Sequence, residues 1–166
     1  MIQKYIISGA PGTGKTTIIN ALKKKDYYCA EEISRELIAE QISIGGNILP
    51  WKDQIAFENK IAHRRYQQYL NSPENCISFF DRSSIDCIAY LTNNKLESTS
   101  QINQIIKNCI YNKMVFYTPI WEEIYKNDNE RQESFDQAIK IDEYLKDSYI
   151  KFGYILIEIP KLSVVD

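Results

Sequence analysis

The chain has 166 residues, enough for one domain with a central sheet and covering helices, and too few for an added substrate domain. Twenty basic against 22 acidic side chains, a formal charge of −2, leave no polybasic footprint, so a small molecule is the expected partner and nucleic acid and membrane are not. Four scattered cysteines (Cys29, Cys76, Cys87, Cys109), a single histidine (His63) and short apolar runs argue against a zinc cluster, a disulfide framework or a membrane helix. Reduced thiols in a cytoplasmic protein are expected, with no targeting segment before the first strand.

The first element is a short apolar strand, Tyr5-Ile6-Ile7, followed by Gly9-Ala10-Pro11-Gly12-Thr13-Gly14-Lys15-Thr16 and then a segment with helical spacing at Ile18, Ile19 and Leu22. That is the P-loop pattern, Gly-x-x-x-x-Gly-Lys-Thr, in its required strand–loop–helix setting. A triphosphate needs many donors close to its oxygens, and the three glycines let the backbone curl around it. The curl empties into a helix N-terminus, whose unpaired N–H groups favour an anion. The expected nucleotide-binding set is therefore Gly9, Ala10, Pro11, Gly12, Thr13, Gly14, Lys15, Thr16 and Thr17. Lys15 should reach the β- and γ-phosphates of ATP, and the Thr16 hydroxyl should help hold Mg²⁺.

Tyr27-Tyr28-Cys29-Ala30 reads as a second strand, with Glu31 and Glu32 at its end. Ile33, Leu37, Ile38, Gln41 and Ile42 then repeat at helical spacing up to the stop signal Gly45-Gly46-Asn47. Glu32 and Arg35 share a face of that helix. They are either a surface ion pair or acceptor-binding groups, and their position beyond the carboxyl end of a strand favours the second. A long polar helix is expected over Lys52 to Leu70, with Ile55, Ile61, Ala62 and Tyr69 toward the core. Gln54, His63, Arg64 and Arg65 either line a substrate cleft or form its solvated face, and the second reading keeps them outside the site.

Cys76-Ile77-Ser78-Phe79-Phe80 reads as a buried strand that delivers Asp81-Arg82-Ser83 at its carboxyl end. Asp81 is expected to hold Mg²⁺ with Thr16, because the metal needs an anionic oxygen opposite the phosphates, or to accept the proton of an attacking hydroxyl. The plainer alternative is that Asp81 caps the helix carrying Ile85, Ile88 and Leu91. Arg82 would bind an anionic group, and Asp86, one turn on, points to the same cleft or to water.

Ser98-Thr99-Ser100-Gln101 reads as a capping box before Ile102 and Ile105, and Met114-Val115-Phe116-Tyr117 as a fourth strand. Between residues 121 and 134 the sequence turns polar, as a lid would, and Arg131 is its one arginine, suited to charge on a phosphoryl group in transit. The last helix carries Phe135, Ala138, Ile139, Leu145 and Tyr149 on one face, and Tyr154 to Ile159 is the fifth strand. Five strands alternating with helices give an α/β fold, a parallel sheet wound on both faces, as one domain over 1–166.

Five stretches in this order carry a resemblance over nearly the whole chain. They are Gly9 to Thr16, Glu-Ile-Ser-Arg at Glu32 to Arg35, Asp-Arg-Ser with Asp-x-x-Ala-Tyr from Asp81 to Tyr90, Pro-Ile-Trp-Glu-Glu-Ile-Tyr from Pro119, and Asn-Glu-Arg-Gln-Glu-Ser-Phe at Asn129 to Phe135. The chain resembles small bacterial P-loop ATPases or kinases of an "AAA domain" type, the nicotinamide riboside kinase domain of the bacterial NAD regulator and, more distantly, deoxynucleoside kinases. The resemblance implies an adenylate-kinase-like fold with strand order 2-3-1-4-5, a short helical lid, ATP with Mg²⁺, and a lid arginine at Arg131. Relatives often pair two lid arginines where this chain has Arg131-Gln132, and they continue past the last strand into a closing helix where this sequence has only Leu162 to Asp166. Base selectivity between ATP and GTP stays open.

The expected function is transfer of the ATP γ-phosphoryl group to a nucleoside-like or nucleotide-like acceptor. Lys15, Asp81, Arg131 and Glu32 would be catalytic, Glu32, Arg35, Arg82 and Asp86 would bind the acceptor, and Thr16 and Asp81 the metal. The alternative is a regulatory ATPase that acts through a protein partner.

Overall fold

A computed structural model describes residues 1–125 and 134–164. Its strands are β1 Lys4–Ser8, β2 Tyr28–Ala30, β3 Ser78–Asp81, β4 Met114–Tyr117 and β5 Ile155–Glu158. All pairings are parallel and the order is β2-β3-β1-β4-β5, the order the resemblance implied. The helices are α1 Lys15–Lys23, α2 Ser34–Ser43, α3 Gln54–Asn71, α4 Ser84–Asn93, α5 Ser100–Asn108 and α6 Phe135–Lys151.

Parallel strands buried on both faces read as apolar runs, and the register explains which residues meet. Ile6 sits between Phe80 and Val115 across three strands, and all three are buried in a core shared with Leu37, Ile61, Leu91 and Ile102. Their neighbours Tyr5, Phe79 and Phe116 point the other way and contact one another ring to ring. The P-loop helix α1 lies against β2 and β3. A second cluster joins Tyr117 to Ala138, Ile141 and Leu145 of α6, which fixes α6 against the loop end of β4.

Local signals set the helix starts, with two corrections. Asp53 caps α3 by accepting from the Ala56 N–H, and Ser134 with Gln137 forms a capping box at α6. The expected box at Ser98 is absent: Thr99 is the cap of α5, accepting from Ile102 N–H, while Ser98 donates to Asn103. Asp81 is not a helix cap either, because Ser83 and Asp86 form the capping box of α4. Two expected core residues, Ile55 and Ile139, are 40% exposed at the edges of stripes centred on Ile61 with Ala62 and on Leu145. No helix of the described residues is long and apolar enough to cross a membrane.

Candidate active site

The loop between β1 and α1 folds as the glycine spacing demands. Gly14 takes φ 91° as the N-cap of α1, and Gly9 takes φ 151° where the chain leaves β1. At Gly9 an added methyl would lie 2.1 Å from Thr118 Oγ1 and 2.5 Å from the Thr118 carbonyl oxygen. Gly9→Ala is therefore expected to destabilise the protein by roughly 2–4 kcal/mol, through strain and displacement of β4's end, and thermal unfolding checks it. Thr13 closes the loop from within, its hydroxyl 2.8 Å from the Ala10 carbonyl and 2.6 Å from the Thr118 hydroxyl. The Lys15 ammonium donates to the carbonyls of Gly9 (2.8 Å) and Ala10 (2.7 Å).

A cavity of about 1470 Å³ opens above this loop. Pro11 to Thr17 line one part of it, Pro160 to Val164 and Trp121 another, and Glu32, Arg35, Glu58, Arg65, Asp81 and Arg82 a third. Gly9 and Ala10 do not line it; Ala10 is fully buried beneath. The structure thus brings together the loop and all but one of the sequence-predicted acceptor residues.

Three strand ends converge on the charged part. Glu32, just past β2, accepts from the Ile33 and Ser34 N–H groups at 2.9 and 2.8 Å through Oε1. Its Oε2 lies 2.8 Å from Arg82 Nε, and Arg65 Nη2 reaches Oε1 at 3.4 Å. Burial alone raises such a carboxyl, but the Arg65 and Arg82 guanidiniums and the Ser34 donors outweigh it and hold Glu32 at about 2. Asp81, the last residue of β3, behaves in the opposite way. Burial and the nearby Glu32 charge push it up to about 6, against the pull of Lys15 and Arg82. Lys15 is lowered to about 7 by burial and by Arg82, with Asp81 and Glu32 opposing.

Asp81 Oδ1 is buried with no hydrogen-bond partner among the described residues. An orphaned anionic oxygen of this kind is costly unless something cationic or donating meets it, so Asp81 fits the place of a metal ligand. Among the described residues no group of three or more His, Cys, Asp or Glu could cage a metal. That donor set suits Mg²⁺, which keeps water and phosphate oxygens in its shell and takes few protein ligands.

Asp86 corrects the expectation that it faces the cleft. It is fully buried, does not line the cavity, and accepts from Ser8 Oγ (2.7 Å), Arg82 Nη1 (3.0 Å), Ser83 N–H (2.9 Å) and the Tyr149 hydroxyl. Arg35 is exposed and lines the cavity. Arg131 lies outside the described residues, as does most of the expected lid; of the rest, Glu122–Ile124 form one 3₁₀ turn whose Ile124 packs beside Gly14.

Arg65, read from sequence as solvated, is 5% exposed and donates to the Ser83 carbonyl at 2.8 Å. Glu58, one helical heptad earlier, is also buried against the cavity, and burial pushes its carboxyl up to about 7. The available signal was phase: Glu58 and Arg65 fall on the same helix stripe as Ile61 and Ala62, so the apolar stripe had to carry two charges into the interior.

Solved structures with this fold include a NadR protein in complex with NR (17% identity, TM-score 0.70), a deoxyadenosine kinase from M. mycoides with bound products dCMP and dCDP (17%, 0.65), and the thymidylate kinase of Candida albicans (16%, 0.68). Each match covers 98% of this chain, and 46%, 92% and 86% of the other chain respectively, so this chain spans about half the length of the NadR protein. At these identities the likeness speaks for the fold. Comparison with curated proteins gives no match. The sequence profile of a family described as AAA domain matches residues 4–166, the P-loop and every strand included, and the chain belongs to that family.

Proposed function

We propose that the chain is an ATP-dependent phosphotransferase acting on a hydroxyl or phosphate of a small, nucleoside-like or nucleotide-like acceptor. One observation carries this reading: the P-loop, the orphaned Asp81 oxygen and the Glu32–Arg82–Arg65 cluster line the same cavity. A regulatory ATPase needs the first two, whereas two buried arginines and a half-buried glutamate of α3 and the strand ends beside the phosphate cradle suit a second, polar molecule. Neighbours of the same fold solved with NR, dCMP or dCDP support the acceptor class.

In this reading the acceptor oxygen forms a bond to the γ-phosphorus, the bond from that phosphorus to the β-bridging oxygen breaks, and ADP leaves. Lys15 neutralises charge on the β- and γ-oxygens, and the α1 N-terminus receives them. Thr16 and Asp81 would hold Mg²⁺, which when bound supplies further charge neutralisation across those oxygens. Glu32, kept ionised by two arginines, accepts a hydrogen bond from the acceptor and orients it, although a carboxylate at about 2 is a poor proton sink. Asp81, at about 6, is better matched to take the acceptor proton where it is not engaged by metal. Arg82 and Arg35 bind anionic groups, and Arg131 stabilises the phosphoryl group from the lid.

A coupled assay of ADP release from ATP, run over a panel of nucleosides, nucleotides and pyridine ribosides, tests this. At least one acceptor is expected to raise release above the water background by tenfold or more, a gain well within what an oriented acceptor provides. Binding of ATP with release indifferent to every acceptor would overturn the transferase reading in favour of a regulatory ATPase.

A further inference from the structure

Arg82 adopts a left-handed backbone, φ 73°, a conformation costly for any residue with a β-carbon. That turn swings its guanidinium back across the sheet ends, with Nε on Glu32 at 2.8 Å and Nη1 on Asp86 at 3.0 Å. The ring of Tyr90 lies 5.8 Å from the guanidinium carbon. The placement of Arg82 in the cavity, and of the Glu32 carboxylate it holds, therefore depends on where Asp86 stands.

Among the described residues four donors grip Asp86, and they are not equivalent. Arg82 and Ser83 belong to the same β3–α4 turn as the group being placed, so they cannot anchor it to the rest of the molecule. Ser8, from β1, shares Oδ1 with Arg82. On Oδ2 the one contact from another element among the described residues is the Tyr149 hydroxyl, which reaches in from α6. Tyr149 is fully buried and also sits 2.7 Å from Ser83 Oγ. Burial and the Asp86 carboxylate push its phenol well above the ordinary value, so it remains a hydrogen donor throughout the neutral range.

We infer that Tyr149 is a positioning residue for Arg82: by clamping Asp86 from α6 it sets where the Arg82 guanidinium, and with it Glu32, lies in the cavity. The chain Tyr149–Asp86–Arg82–Glu32 runs from a fully buried helix residue to the acceptor side of the site in three contacts. The geometry does not depend on which reaction the site performs; only the kinetic arm below rests on the transferase reading.

The test is solvent exchange of arginine Nε–H protons, followed by NMR on isotope-labelled full-length protein. Tyr149→Phe removes one hydroxyl and keeps the ring, and it is expected to speed Arg82 exchange by about tenfold, the worth of one buried hydrogen bond, while Arg65 exchange stays unchanged. Asp86→Asn, which breaks the same chain one link nearer, is expected to speed it at least as much. With an acceptor found by the ADP-release panel, Tyr149→Phe should raise the acceptor KM several-fold and leave the ATP KM unaltered. A purely structural Tyr149 would lower the melting temperature without changing Arg82 exchange, and Arg82 exchange within twofold of wild type in either folded variant overturns the inference. Faster Arg82 exchange in a protein for which no acceptor raises ADP release supports the positioning role and counts only against the transferase reading.

Discussion

Replacing Lys15 with alanine is expected to lower ATP-dependent turnover by about 10²–10³-fold in a protein that still folds, the loss typical of deleting one preorganised donor at a site of developing charge. Lys15 is 7% exposed and its amine is lowered to about 7 by burial and the Arg82 charge. The sign of the accompanying proton effect follows. At pH 8 the amine of the free protein is mostly neutral, whereas a bound triphosphate favours the ammonium, so binding draws in a proton. Calorimetry of ATP binding in buffers of different ionisation heat should show uptake of close to one proton at pH 8, fading toward pH 6, where the amine is already charged. Asp81, at about 6, is already ionised at pH 8 and does not contribute there. Lys15→Ala should show no such uptake at pH 8. Wild-type turnover from the folded variant, or identical proton uptake in the two proteins, would contradict the phosphate-site assignment.

Asp81→Asn should separate stability from activity in the opposite sense. The Asp81 carboxyl is raised from 3.8 to about 6 in the folded chain, first by burial and then by Glu32. Between those values the folded state holds the proton that the unfolded chain has lost, so stability falls as pH rises through that window. Above it the full penalty remains, on the order of 3 kcal/mol. Asparagine has no charge to bury, so the variant should melt several degrees above wild type at pH 7 and match it near pH 4. Its turnover should nonetheless fall about 10²–10³-fold, since the buried oxygen proposed to meet the cation no longer carries charge. A variant that melts below wild type at pH 7 would mean that Asp81 is satisfied in the resting protein. A variant with normal turnover would remove it from the chemistry. A charged group kept at a cost to folding is the pattern of a functional residue.

The phosphate cradle was legible because its chemistry is local. Gly9, Gly14 and Lys15 act through backbone freedom and a helix start, both set by residues adjacent in sequence. Asp81 and Arg82 were legible for a related reason: a short apolar strand announces its own carboxyl end, and in a parallel sheet that is where ligands collect. Asp86 was misplaced because its surroundings come from far away. Ser8 and Tyr149, which bury it, stand 78 and 63 residues distant in the chain. Arg65 and Glu58 were missed because a charged residue on a polar helix ordinarily faces water, and that expectation outweighed their phase with Ile61 and Ala62 on the stripe that packs against α4.

What this sequence determined by itself is the alternation of strand and helix, the curl that can hold a polyanion, and the acids and arginines at strand ends, since periodicity and glycine placement act over a few residues. What only the tertiary structure decided is which of those charges look into the cavity and which serve as struts behind it. Pairing and burial join residues tens of positions apart, and ionisation follows from those pairings: two carboxylates of one cluster, Glu32 and Asp81, end at about 2 and about 6 because the first meets two guanidiniums and the second is buried beside the first one's charge.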